Sequence, residues 1–132
     1  MDFHHVDDTQ GGFPDELAPH FQGQVQIQPF TSPFTEGPLI FAVHFQPGGR
    51  TRPHTHRDGQ ILHVTAGQGI IATASERRVV GPGDIAVVMP DEWHWHGATP
   101  TSSMTHVTMQ MPGPGAVDWE VEELDWASGY EA

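Results

Sequence analysis

The chain of 132 residues contains no cysteine. Disulfides, thiolate nucleophiles and cysteine-ligated zinc are therefore excluded. Lysine is absent too, since the five basic residues are Arg50, Arg52, Arg57, Arg77 and Arg78. A side-chain Schiff base cannot form, so any chemistry falls to histidines, acids, hydroxyls or a metal. Against 17 acids these arginines leave a net charge of −12. Such a chain repels nucleic acid and anionic membranes, and its charge serves solubility. No apolar run approaches the ~18 residues of a membrane-spanning helix. The first residues, Met1 to Asp8, are acidic and histidine-rich, with neither the basic start nor the apolar run of an export signal. A cytoplasmic protein is the expectation.

Glycine (15), proline (12) and histidine (10) are plentiful. Glycine and proline fall between short apolar runs, the pattern of a turn-rich β protein with one core. Gln24–Gln28 alternates as a half-buried strand ended by Pro29. Leu39–Phe45, Thr51–His56, Gln60–Ala66, Ile70–Ala74, Arg77–Val80 and Met104–Met111 read as further strands. Ile85–Met89 is apolar throughout, which predicts a strand buried on both faces. The expected class is all-β, a sandwich or barrel. Residues 1–20 form a loosely ordered leading segment, 21–115 the barrel, and 116–132 an acidic tail or short helix packed on it.

The histidines carry the chemistry. His54 and His56 stand two apart, so on a strand their rings share a face. Gln60 follows a turn, and His94 comes from a separate strand. Three imidazoles and one amide oxygen suit a first-row ion (manganese, iron, cobalt, nickel or zinc) better than a calcium-type oxygen cage. All four donors are neutral, so a bound divalent ion would keep its full charge and act as a strong Lewis acid. The same neutrality disfavours a trivalent ion and argues for a non-redox role.

The spacing Gly48-x5-His54-x-His56-x3-Gln60-x6-Gly67 resembles the first cupin motif, with Gln where Glu is usual. Gly83-x5-Met89-x-Asp91-x2-His94 resembles the second, with Met for Pro and Asp for Gly. The narrower likeness is to small single-domain cupins of the carboxymuconolactone-decarboxylase-associated group, which includes manganese-dependent hydroxynitrile lyases. It rests on Gly59-Gln60, Val64-Thr65-Ala66-Gly67, His94-Trp95-His96-Gly97-Ala98, Met104-Thr105-His106 and Ala116-Val117-Asp118-Trp119.

This resemblance implies a jelly-roll β-barrel with one divalent metal, manganese favoured, on His54, His56, Gln60 and His94. It implies acid–base roles for His96 and His106, and a substrate pocket formed by Phe41, Val43 and Gln110. The implied activity is Lewis-acid cleavage of a small cyanohydrin by a homodimer or larger homo-oligomer. Alternatives are an iron dioxygenase, a polyketide- or aromatic-pathway cyclase, isomerase or decarboxylase, and a ligand-binding cupin without turnover. His44 and His63 have the opposite strand parity and are expected to be outward or interface residues. Strand Gln24–Gln28 is a candidate edge for pairing with a second subunit.

Overall fold

The computed structural model describes residues 1–32 and 34–126. In chain order its strands are β1 (Phe21–Gln22), β2 (Val25–Pro29), β3 (Leu39–Phe45), β4 (Arg50–Thr51), β5 (Thr55–His56) and β6 (Gln60–Gly67). There follow β7 (Gly69–Thr73), β8 (Arg77–Val80), β9 (Ile85–Val88), β10 (His94–Ala98), β11 (Met104–Gln110) and β12 (Val117–Asp118). Two five-stranded antiparallel sheets face each other, ordered β2-β3-β11-β6-β9 and β1-β4-β10-β7-β8. A small β12-β5 pair lies beside them. This is the expected jelly-roll.

The core lies between the sheets. Val43, Phe45, Leu62, Val64, Val88, Ala98 and Met104 are buried there. Val43 and Phe45 are alternate positions of β3, and Leu62 and Val64 of β6, as a period of two requires, while Val88, Ala98 and Met104 come from β9, β10 and β11. The tight Gly67 corner between β6 and β7 has φ +77°, and a Cβ there would meet the Ser103 carbonyl oxygen at 1.9 Å. Only glycine fits both constraints. Asp91 stands where the resemblance has glycine and takes φ +60°. Aspartate is one of the few side chains that tolerate this region. The Asp91 amide donates to the His56 carbonyl at 2.9 Å, tying the two motifs together.

Three expectations need correction. Ile85–Met89 is not doubly buried: β9 is an edge strand, with Ile85, Val87 and Met89 more than half exposed. A continuous apolar run cannot say whether its second face meets this chain or something else. Thr51–His56 is not one strand, because Arg52-Pro53 separates β4 from β5 and the two join different sheets. Proline has no amide to donate to a ladder. His44 does point out of the barrel, yet it is buried. Its ring bonds Thr105 Oγ1 at 2.8 Å and Gln28 Oε1 at 3.0 Å, and Gln28 in turn holds the backbone of His5 and Asp7. Burial lowers the His44 pKa, with Asp8 and Asp7 opposing the shift.

The leading residues therefore lie over part of the β2-β3-β11-β6-β9 face. Asp15–His20 forms a 3-10 helix, and Gly12 exchanges backbone hydrogen bonds with Ile27 at 3.1 and 2.7 Å. That exchange occupies the middle of the β2 edge on which subunit pairing was expected. At the other end of the chain Trp126 packs on Trp95, Ile70 and Ala72 outside the second sheet. Arg50 lies over the Trp126 ring at 4.5 Å, and Arg52 pairs with Glu123. The described tail contains no helix. Residues 127–132, part of the expected tail, lie outside the described residues.

Candidate metal centre

Backbone pairing brings the two motifs together. His54 and His94 exchange both backbone hydrogen bonds, at 3.0 and 3.1 Å, so their side chains emerge side by side. Their ring centroids are 4.3 Å apart, and the His56 ring lies 5.0 Å from His54 and 5.3 Å from His94. One nitrogen from each of His54, His56 and His94 falls within 4.8 Å of the others, and all three residues are buried. Gln60, first residue of β6, reaches the same point, with Oε1 2.9 Å from His94 Nε2.

The hydrogen bonds fix which atoms face inward. His54 Nδ1 donates to the Arg52 carbonyl at 2.8 Å and His94 Nδ1 to the Glu92 carbonyl at 2.9 Å. In the neutral rings Nε2 is then a bare lone pair. Gln60 Nε2 donates to Gln110 Oε1 at 2.9 Å, which turns the Gln60 oxygen toward the histidines. His94 Nε2 and Gln60 Oε1 are thus two acceptors in near contact, an arrangement a cation relieves. His56 Nε2 is buried without a hydrogen-bond partner. Buried polar atoms are ordinarily satisfied, so this donor set fits a metal.

Protonation supports the same fit. Burial, and then the charges of His94 and His56, hold His54 well below the usual histidine range. Burial and His94 bring His56 to about 4. Burial also lowers His94, partly offset by its bond to the Glu92 carbonyl and by the Glu92 charge. Near neutral pH all three rings are uncharged, the form that ligates metals.

Beside the cluster is a cavity of about 120 Å³. His54, His56, Gln60 and His96 form its polar wall, and Leu17, Phe21, Ile27, Phe41, Val43 and Trp119 face them. Phe41, Val43 and Gln110 all line it. Among the described residues no aspartate, glutamate or arginine does. A wider hollow of about 770 Å³ between β8 and β9 contains none of the histidines.

His96 and His106 differ in position. His96 lines the cavity, and its Nε2 is buried with no hydrogen-bond partner. His106 is fully buried behind it and does not line the cavity. His106 Nε2 lies 2.8 Å from His96 Nδ1, and Thr108 Oγ1 lies 3.0 Å from His106 Nδ1. Burial brings His106 to about 3 and, with the His106 charge, holds His96 well below the usual range. The pair therefore rests uncharged, as a chain Thr108–His106–His96 ending at a free nitrogen.

Sequence reading missed Leu17, Phe21, Ile27, Thr51, Thr108, Val117 and Trp119 on the cavity wall. Thr108 shares the strand face of His106 and Gln110, so parity alone could have found it. Trp119 belongs to the Ala116–Trp119 run of the resemblance, but nothing in that run placed it at the pocket. It stacks on His20 at 4.4 Å and 11° and leans on the His54 ring at 4.4 Å. His20, which carried no role in the sequence reading, is thus part of the cavity surround. Burial lowers its pKa, and Arg52 adds to the effect.

Comparison with known proteins agrees with this architecture. Residues 41–109 match the cupin domain model. The chain is 44% identical over 105 residues to a protein of Granulicella tundricola named (R)-mandelonitrile lyase, spanning 77% of this chain and 80% of that one. A cupin-like protein of Thermotoga maritima superposes with a TM-score of 0.72 at 30% identity, covering 77% of this chain and 80% of its own. A polyketide cyclase of Streptomyces resistomycificus superposes at 0.75 with 15% identity, covering 94% and 89%, a likeness of fold alone. With both motifs folded onto one buried histidine cluster inside a jelly-roll, the chain belongs to the cupin family.

Proposed function

We propose that the protein is a metal-dependent lyase that cleaves and forms small cyanohydrins. The observation that carries this reading is the free Nε2 of His96, buried beside the four-donor cluster and backed by His106. The relative named (R)-mandelonitrile lyase supports it. His54, His56, Gln60 and His94 would hold one divalent ion, manganese before iron, zinc, nickel or cobalt. When bound, that ion supplies Lewis acidity that makes a neighbouring hydroxyl easier to deprotonate.

The chain's own groups do the rest. The aromatic and aliphatic wall of Phe21, Phe41, Val43 and Trp119 takes the substrate's apolar body and excludes water. His96 Nε2 accepts the hydroxyl proton. The O–H electron pair becomes the second C–O bond of the carbonyl, and the C–C bond to the nitrile breaks with its pair leaving on cyanide. The proton on His96 is then delivered to cyanide, giving hydrogen cyanide and an aldehyde or ketone. His106 does not touch substrate. It orients the His96 ring and shares its transient positive charge, while Thr108 fixes the tautomer. The absence of aspartate, glutamate and arginine among the described lining residues suits neutral reactants.

The test is metal analysis followed by cyanide release. About one transition metal per chain, lost in His54→Ala, and release of cyanide from mandelonitrile or acetone cyanohydrin that collapses in His96→Ala, is the expected result. Stoichiometric oxygen uptake without cyanide release would replace this reading with a dioxygenase.

A further inference from the structure

The cavity beside the histidine cluster has a buried floor and a partly exposed mouth. Val43, His54, His56, Gln60 and His96 on its wall are buried. Leu17, Phe21, Val117 and Trp119 on the same wall are half-buried, so they stand between the floor and solvent. The two motifs of the barrel supply the floor. The leading segment, through Leu17 and Phe21, and the segment from β12 onward, through Val117 and Trp119, supply the entrance.

The two sides of this entrance meet at one side chain. The Trp119 ring stacks on His20 at 4.4 Å and 11° and lies 6.0 Å from the Phe21 ring. It also leans on His54 at 4.4 Å, so one indole touches the leading segment and a candidate metal ligand at once. The backbone around it is tied down. Val117 pairs with His56, and the Arg57 amide donates to the Ala116 carbonyl at 2.9 Å. Beyond Trp119, the Trp93 indole donates to the Glu122 carbonyl at 2.6 Å and Arg52 pairs with Glu123. Across the entrance, the Arg52 amide donates to the His20 carbonyl at 2.8 Å. The frame is therefore fixed on both sides of Trp119 and at His20. A stacked ring on such a frame can leave its partner by a change of side-chain rotamer, with no backbone hydrogen bond broken.

We propose that Trp119 is a specificity-determining side chain: stacked on His20 it forms a gate, and the swing of its ring sets the width of the molecule that reaches the histidine cluster and His96. The proposal rests on the reading above in taking this cavity as the reaction chamber. A wider molecule needs a wider swing, so the gate discriminates by size before any chemistry. Because the ring in its closed position packs on His54, closing also removes water from the side of the cluster that faces the entrance.

Diethyl pyrocarbonate, which acylates uncharged imidazole, reads the aperture in metal-free protein without turnover. Initial rates mapped by mass spectrometry near neutral pH should rise about 10-fold at His56 and His96 in Trp119→Ala and in His20→Ala, as a lowered cost of local opening requires. His106, buried behind His96 and off the cavity wall, should keep its native rate. Leu17→Trp, which narrows the opposite side of the entrance, should slow both cavity histidines. In metal-loaded protein, the ratio of kcat/KM for mandelonitrile to that for acetone cyanohydrin should rise about 10-fold in Trp119→Ala and fall in Leu17→Trp. Labelling of His56 and His96 that neither Trp119→Ala nor Leu17→Trp alters would overturn the gate. So would acceleration that includes His106 equally, the mark of a loosened barrel. Altered labelling with an unchanged substrate ratio would overturn Trp119 as a determinant of specificity. Absence of cyanide release from either cyanohydrin would instead end the lyase reading, and the labelling would still decide the gate.

Discussion

Gln110 shows how much one hydrogen bond can decide. Its Oε1 accepts from Gln60 Nε2, so the Gln60 oxygen has one direction left to face. Gln110→Ala should weaken metal affinity about 10- to 100-fold, read by chelator competition, and Gln110→Glu should restore most of it by offering the same acceptor. Gln60→Glu should keep the metal but lower its Lewis acidity, reducing kcat in cyanide release. His96 and His106 should separate as well. His96→Ala removes the proton acceptor, whereas His106→Gln should lower kcat less and leave KM nearly unchanged. At this scale the sequence was legible where spacing is rigid. His54, His56 and His94 were found because a two-residue period and a turn leave little choice. His44 was misjudged because parity says which way a ring points and not whether distant residues later cover it.

Among the elements, corners are more exacting than strands. Gly67→Ala forces a Cβ against the Ser103 carbonyl at a positive φ, and should cost at least ~2 kcal/mol, visible as a lower urea midpoint. Asp91→Gly should be neutral or stabilising by about 1 kcal/mol, since glycine adopts φ +60° without penalty. Most strands could be placed from apolar runs bounded by glycine and proline. Two could not, and for different reasons. Arg52-Pro53 breaks a ladder that its β-prone neighbours suggest. The run Ile85–Met89 looks the same whether its outer face meets a helix, a loop or another molecule. Trp119 was singled out as part of the Ala116–Trp119 run but given no place in the pocket, because its role comes from chain closure: the segment after β12 returns to the cavity only once β5 has paired with it.

For the whole molecule, the buried histidines make acid the weak flank. His56 and His106 titrate near 4 and 3 when folded and near 6.5 when unfolded. Above pH 6.5 neither state binds these protons and the stability is fully present. As pH falls below 6.5 the unfolded chain takes them up first, and stability drops until the folded values are reached. Metal-free protein should therefore lose stability on the order of a few kcal/mol between pH 7 and pH 4. Denaturant melts at fixed chain concentration measure this, and a flat profile would contradict the burial of these rings. The barrel and its topology class were readable in advance because motif spacing and turn chemistry agree. The division of its outer face between the chain's own leading residues and an open apolar field was not, since no local pattern encodes where His5–Asp8 comes to rest.

The stack of Trp119 on His20 and its lean against His54 give the protein an optical reporter of its own. Trp93, Trp95 and Trp126 gather at the β7-β10 side, whereas Trp119 touches the ring of His54, a candidate metal ligand. A paramagnetic ion held by His54 would quench that emission through the short Trp119–His54 contact. Loading, release and displacement by substrate could then be followed by fluorescence in unlabelled protein, with Trp119→Phe, which keeps the other three indoles, as the control that should not respond.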